Sequence, residues 1–234
     1  MIKKEEVENY KNYLNEYQAK LKYGIKNGLV RIYDEELLSK LRHIYCGGVP
    51  ASILLLTQGF ANGFCYDRAH LVTMAFGNDE YYVACGSVKS LRINPELLEK
   101  YREGKMSKLY DDHCVALRKE KNGKEWIYDT SMGFIFEKNF YYELDDFQVR
   151  KIENKDEIQE FLYFDFLRDT SFEEEKYVLP FIISKIEETM VPTQEFYLEM
   201  LQREIAILKE EVGYDELYKE VQEDMKRLGF IPLN

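Results

Sequence analysis

The sequence predicts an α+β fold, and three patterns carry that expectation. Apolar residues step by three and four near the amino terminus (Val7, Tyr10, Leu14, Tyr17, Leu21), the spacing of a helix with one buried stripe. The same spacing returns near the carboxyl terminus in Leu198, Leu201, Ile205, Leu208 and Val212. Between the two, residues 113–120 and 124–130 alternate as strands do, around the turn-forming Lys121-Asn122-Gly123.

The first helix is expected over about residues 3–22, with Lys26-Asn27-Gly28 ending it. A second is expected from Asp34 to about Tyr45. Asp34 suits the cap because its carboxylate can accept from the unpaired amides of the first turn, and Gly47-Gly48-Val49-Pro50 reads as the stop. The apolar segment Ala51 to Leu56 follows.

From Cys65 to Phe76 there is neither Pro nor Gly, and Gly77-Asn78 comes next, so the stretch reads as a helix whose first residue is a cysteine. Tyr81 to Cys85 is a short strand-like run. A loop of more than twenty residues comes after it, carrying a small helix with Asn94 as cap and Pro95 in its first turn. Loops of that length in compact domains are often functional.

Phe134 to about Val149 is aromatic and reads as further strand, and the pattern turns helical from Asn154. Leu217, Val221, Met225 and Leu228 continue the carboxyl-terminal stripe beyond Gly213. Two regions are therefore expected: a core over 1–152 and a helical extension over 153–234 packed on it. The two short heptads can also pair with a second copy as a homodimer.

The formal charge is −11 and the isoelectric point near 5.0, which argues against nucleic acid, because phosphate binding needs clustered basic surface. The opening Met1-Ile2-Lys3-Lys4-Glu5-Glu6 lacks the apolar core of a signal peptide, and the purely apolar run Ile53 to Leu56 is far too short to span a bilayer. A cytoplasmic protein without a membrane partner is expected. Four cysteines, Cys46, Cys65, Cys85 and Cys114, show no paired spacing and read as reduced thiols. His43 and Cys46 lie three apart, but no second pair completes a metal site, so neither metal nor cofactor is expected. Cys46, Cys85 and Cys114 read as small buried hydrophobes.

Cys65, His113 and Asp129 are the candidate catalytic residues. A thiol attacks a carbonyl well only as thiolate, so it needs an imidazole within reach, and the imidazole needs a carboxylate to set its tautomer. A helix start also favours the thiolate through the partial positive charge there. Gln58 is the candidate second donor of an oxyanion hole, with Asn62 behind it. His70, five residues past Cys65 on one helix, lies about 140° round the axis and should point away. Asp111 and Asp112 can adjust His113, hold a cationic substrate, or form a solvated loop tip.

The turn at Lys121-Asn122-Gly123 decides whether His113 and Asp129 meet. A two-residue Asn-Gly turn pairs His113 with Met132 and sends Asp129 to the opposite face. A three-residue loop with Gly123 left-handed pairs Val115 with Asp129 instead. His113 is then its same-face diagonal neighbour, roughly 7 to 8 Å away between backbones.

The three motifs Gly63-Phe64-Cys65-Tyr66-Asp67-Arg68-Ala69, Asp112-His113-Cys114-Val115 and Trp126-Ile127-Tyr128-Asp129-Thr130 together resemble the core of the transglutaminase-like superfamily, within the broader papain-like thiol fold. The resemblance covers roughly residues 58–135. It implies a cysteine at a helix start, with histidine and aspartate on successive antiparallel strands: Cys65 as nucleophile, His113 as base and then acid, Asp129 as orienting carboxylate. Gln58 is similar to the glutamine such enzymes place before their cysteine. The aromatic residue often found after the family's histidine is absent, since Cys114, Val115 and Ala116 stand there, and the helical extension has no counterpart.

A cysteine hydrolase, peptidase or amidase, is the expected activity, acting on a peptide or a small amide or acyl compound. The alternatives are an acyltransferase and a non-catalytic binding module on the same fold. Cys65, His113 and residues 126–134 are also similar to arylamine N-acetyltransferases, although Ala61-Asn62-Gly63 replaces that family's Arg-Gly-Gly.

Overall fold

The structure, a computed structural model, describes residues 4–46, 49–57, 65–76, 80–89, 103–105, 110–154, 183, 197–227 and 229. Its elements in chain order begin with α1 (Lys4–Lys26), β1 (Val30–Ile32), α2 (Glu35–Leu41), β2 (Tyr45–Cys46), β3 (Val49–Pro50), α3 (Ala51–Leu56) and α4 (Cys65–Phe76). They continue with β4 (Tyr81–Lys89), β5 (Tyr110–Lys119), β6 (Glu125–Asp129), β7 (Phe134–Glu137), α5 (Lys138–Asp145), β8 (Gln148–Glu153), α6 (Leu198–Glu211) and α7 (Tyr214–Arg227). This is an α+β fold. The chain divides into two compact units, Met1–Tyr33 with Cys65–Gln159 and Asp34–Phe64 with Glu160–Asn234.

The first unit is built on a six-stranded antiparallel sheet in the order β1-β7-β6-β5-β4-β8. Strand alternation gives it two apolar faces. Val115, Leu117, Ala84 and Ile127 share one, packing with Tyr141 and Leu144 of α5 and with Tyr17 and Leu21 of α1. Cys85, Cys114, Ala116 and Tyr128 fall on the other, toward α4, which packs on β4 and β5. There Phe76 stacks on Tyr81 with ring centroids 4.3 Å apart. Each such side chain, fully buried, contributes roughly 1.5 to 3 kcal/mol.

The β5–β6 hairpin closes through a three-residue loop. Glu120 N donates to Lys124 O at 2.8 Å and Gly123 N to Glu120 O at 2.9 Å, with Gly123 at φ 84°. A residue with a Cβ would be strained there. The register runs from Lys119↔Glu125 to Ala116↔Tyr128, and one further step sets Val115 opposite Asp129. Of the two registers weighed from sequence, this is the one that puts His113 and Asp129 on one face; a slip of one residue would separate them.

Several expectations are corrected. Residues 134–149 are not one strand region: after β7 the chain forms α5. Glu137 caps it, accepting from Phe140 N at 2.8 Å, its buried Tyr141, Leu144 and Asp145 follow helical spacing, and Asp146 ends it in the left-handed region at φ 49°. Capping and amphipathic spacing override the strand preference of the aromatics. The second helix stops at Leu41 instead of near Tyr45, because Tyr45 and Cys46 pair with Pro50 and Val49 as a small hairpin. The small helix at Asn94 and the helical stretch expected directly after Asn154 lie outside the described residues.

In the second unit Asp34 caps α2 as expected, accepting from Leu37 N at 3.0 Å. All six residues of α3 are buried, and α2 and α6 pack on it. Arg42 grips Glu204 of α6 bidentately, at 2.9 Å from Nε and 2.8 Å from Nη2, with both side chains buried. Gly213, at φ 60°, separates α6 from α7. The division therefore differs from the boundary expected at residue 152. The segment that carries α2 and α3 belongs with α6, because a helix buried on every side, as α3 is, needs cover that α6 supplies. Among the described residues no helix is long and apolar enough to cross a membrane.

Candidate active site

Asp129 ends β6, and among the described residues its carboxylate meets four hydrogen-bond partners. Its Oδ1 takes the backbone amides of Ser131 and Met132, at 2.9 and 3.2 Å, in the turn that follows the strand. Its Oδ2 takes the Tyr141 phenol at 2.8 Å and meets His113 Nε2 at 3.2 Å. Asp129 and Tyr141 are fully buried and His113 is 3% exposed. A carboxylate only accepts, so the proton on this side of the imidazole sits on Nε2, and Nδ1 is the nitrogen left for a thiol.

Cys65 is the first residue of α4, as the sequence predicts. Beyond Val115, strand β5 has β4 on one side, while β6 has already ended at Asp129. The first turn of α4 comes to this end of the sheet, where Arg68 Nη1 donates to Thr130 O at 3.5 Å. The Cys65 thiol is pulled down to about 4. The largest cause is the Cys114 thiol hydrogen-bonded to its sulfur, followed by the hydrogen bond and positive charge of His113, all against burial, which raises it. Cys114 is shared: it also bonds Cys85, its direct partner across β4 and β5, and holding its own proton between two sulfurs raises it far above the ordinary thiol range.

Other charges ring the thiol. Arg68, one turn along α4, loses some basicity to burial while Tyr33, Asp129 and Cys65 draw on its charge. Tyr66 is raised by burial and by the nearby Glu153, a carboxylate only 5% exposed that also pairs with Lys151. His70 is lowered to about 4 by burial, within electrostatic reach of the same Glu153.

The structure thus brings Cys65, His113 and Asp129 together and keeps His70 with Glu153. Gln58 and Asn62 lie outside the described residues, as does the side chain of Asp111. Asp112 is exposed and pairs with Arg150, which also donates to Gly86 O at 2.8 Å. Among the described residues no group of three or more His, Cys, Asp or Glu side chains could hold a metal.

Sequence reading missed three groups. Cys114 and Cys85 are only partly buried, with Cys114 beside Cys65 and Cys85 opposite Cys114, where small buried hydrophobes were expected. Adjacency to His113 was a signal for Cys114, whereas Cys85 depends on a strand register that sequence does not print. Tyr141 lay in a stretch read as strand. Comparison with protein-family models, with curated proteins and with solved structures returns no match.

Proposed function

We propose that this protein is a cysteine-dependent acyl-transfer enzyme, a hydrolase of peptide or amide bonds, on a papain-like core of the transglutaminase-like kind. One observation carries the reading: His113, whose Nε2 meets the buried carboxylate that Tyr141 and two backbone amides hold, stands within electrostatic reach of the Cys65 sulfur at the start of α4 and favours its thiolate. Partner order supports it too, with the thiol on a helix and the imidazole and carboxylate on adjacent antiparallel strands.

In this mechanism the Cys65 thiolate attacks the carbonyl carbon and the oxygen becomes an oxyanion beside the helix amino terminus. His113 gives its proton to the leaving amine, and the C–N bond breaks to leave a thioester on Cys65. Water then loses a proton to His113 as it attacks, and the acid departs with the thiolate restored. Asp129 holds the imidazole and balances its charge without taking the proton.

The test is incubation with p-nitrophenyl acetate followed by peptide mass mapping. An acetyl group on Cys65, absent in His113→Ala, is the expected result, and release of p-nitrophenol should continue in water without an amine. Acetylation confined to Cys85 or Cys114, or none at all, overturns the assignment. Turnover only when a primary amine is added makes the protein a transferase.

A further inference from the structure

Cys65, Cys114 and Cys85 form a contiguous row of free thiols. Cys85 and Cys114 are directly opposed residues of antiparallel strands, and Cys114 also lies close enough to Cys65 for each sulfur to shift the other's acidity. Opposed residues have Cα atoms about 4.5 to 5.5 Å apart, inside the ~4.4 to 6.8 Å that a disulfide spans, so the register sets the two strands within bridging range. All three side chains are partly exposed, which a small oxidant requires. Core cysteines chosen only for size have no reason to line up behind a nucleophile.

We propose that Cys114 and Cys85 are a thiol relay that captures hydroperoxide oxidation of Cys65 as a disulfide and returns Cys65 to its reduced form. The proposal rests on Cys65 being the reactive thiolate of the site described above. In the first step the Cys65 thiolate attacks the peroxide: an S–O bond forms, the O–O bond breaks, and the leaving oxygen takes the His113 proton to depart as alcohol or water. Cys65 is oxidised by two electrons to the sulfenic acid, and the peroxide is reduced.

Cys114 then attacks that sulfur. The S–S bond forms, the S–O bond breaks, and hydroxide leaves as water with the Cys114 proton. The Cys65 charge is the largest of the influences that hold this proton on Cys114, ahead of Cys85 and burial, and it disappears when Cys65 becomes a neutral sulfenic acid, which eases release of the proton from the resolving thiol. Cys85 finally attacks the Cys114 sulfur and gives up its proton, which returns to His113 through solvent; the Cys65–Cys114 bond breaks with Cys65 leaving as thiolate, and the oxidation rests on Cys85–Cys114. Cys65 is a good leaving group for the reason it is a good nucleophile: its thiolate is stabilised where it stands. A cellular dithiol reductant would reset the strand pair. Resolution in this way keeps Cys65 from the sulfinic and sulfonic acids, which thiols do not reverse.

The experiment uses the full chain carrying Cys46→Ser, so that every disulfide formed involves the row. Stoichiometric hydrogen peroxide is added, and non-reducing peptide mass mapping follows. The expected result is loss of two free thiols, a Cys85–Cys114 disulfide, and a Cys65 that still alkylates with iodoacetamide. Adding Cys85→Ser should trap Cys65–Cys114 and abolish that alkylation until dithiothreitol is added. With at least two further equivalents of peroxide, adding Cys114→Ser should send Cys65 to the sulfinic acid several-fold faster, with Cys114→Ala as the second variant and circular dichroism confirming the fold of each. Sulfinic acid forming on Cys65 at one rate with and without Cys114, or no disulfide within the row, overturns the relay. Because no acyl substrate is present, these outcomes are independent of whether the thiol performs acyl transfer.

Discussion

Tyr141 donates its phenolic proton at 2.8 Å to Oδ2 of Asp129, the same oxygen that His113 Nε2 meets at 3.2 Å. Tyr141 is fully buried on α5, and Asp129 closes β6, so a helix and a strand together aim one carboxylate at the imidazole. A hydrogen bond to a charged group contributes about 1.5 to 3 kcal/mol.

Tyr141→Phe keeps the ring that packs against Phe136 and Phe147 and removes only the donor. The carboxylate then keeps the two backbone amides but is less firmly oriented toward His113. Thermal unfolding should fall by several degrees. The rate of acyl transfer should drop about tenfold, which corresponds to roughly 1.4 kcal/mol, with KM little changed. Stopped-flow acylation of Cys65 measures this, and an unchanged rate at reduced stability makes Tyr141 a packing residue only.

Asp129→Asn tests the tautomer. The amide oxygen can keep the Ser131 and Met132 amides that Oδ1 holds now, which turns the NH2 group toward His113 Nε2. Nε2 must then accept, the ring proton moves to Nδ1, and the imidazole loses the lone pair that takes the thiol proton. Activity should fall by about four orders of magnitude while the circular dichroism spectrum is retained. Activity within tenfold of the native protein would remove Asp129 from the chemistry.

The pH dependence of alkylation reports on Cys65 directly. Its folded value is lowered to about 4, so the thiolate is the main form above that pH and is lost as pH falls through it. A free thiol reaches the same state only near pH ~8.5. Iodoacetamide labelling of Cys65 should therefore be flat across neutral pH and fall only in acid. Cys114→Ala removes the largest cause of the lowering and should move the half-point upward. A half-point near that of a free thiol in the native protein would show that the helix start and its neighbours do not activate Cys65.

Glu204→Ala leaves Arg42 buried with its bidentate partner gone and only the part-exposed Glu35 at 3.0 Å and Glu211 at 3.8 Å. Breaking a buried pair from one side costs about 3 to 5 kcal/mol, whereas replacing both partners by apolar residues can be neutral. The single variant should show a markedly lower urea midpoint, and Arg42→Met with Glu204→Leu should recover much of it. Equal loss in the single and double variants would mean the pair contributes through packing volume rather than charge.

Much of this site was legible in the sequence because its determinants are local. The absence of Gly and Pro from Cys65 to Phe76 places the thiol at a helix start, and the observed helix has those limits. Lys121-Asn122-Gly123 restricts the hairpin to two registers, and only one lets His113 and Asp129 share a face. Both signals depend on residues a few positions apart, where backbone sterics and turn geometry act.

Tertiary structure alone decided the rest. It selected the three-residue loop, drew Lys138–Asp145 into a helix that brings Tyr141 to Asp129, and packed α3 against α6. It also set Cys85 against Cys114 and both behind Cys65. Such relations come from pairing and burial between segments tens of residues apart, and a contact of that range leaves no period, cap or turn residue in the chain to mark it.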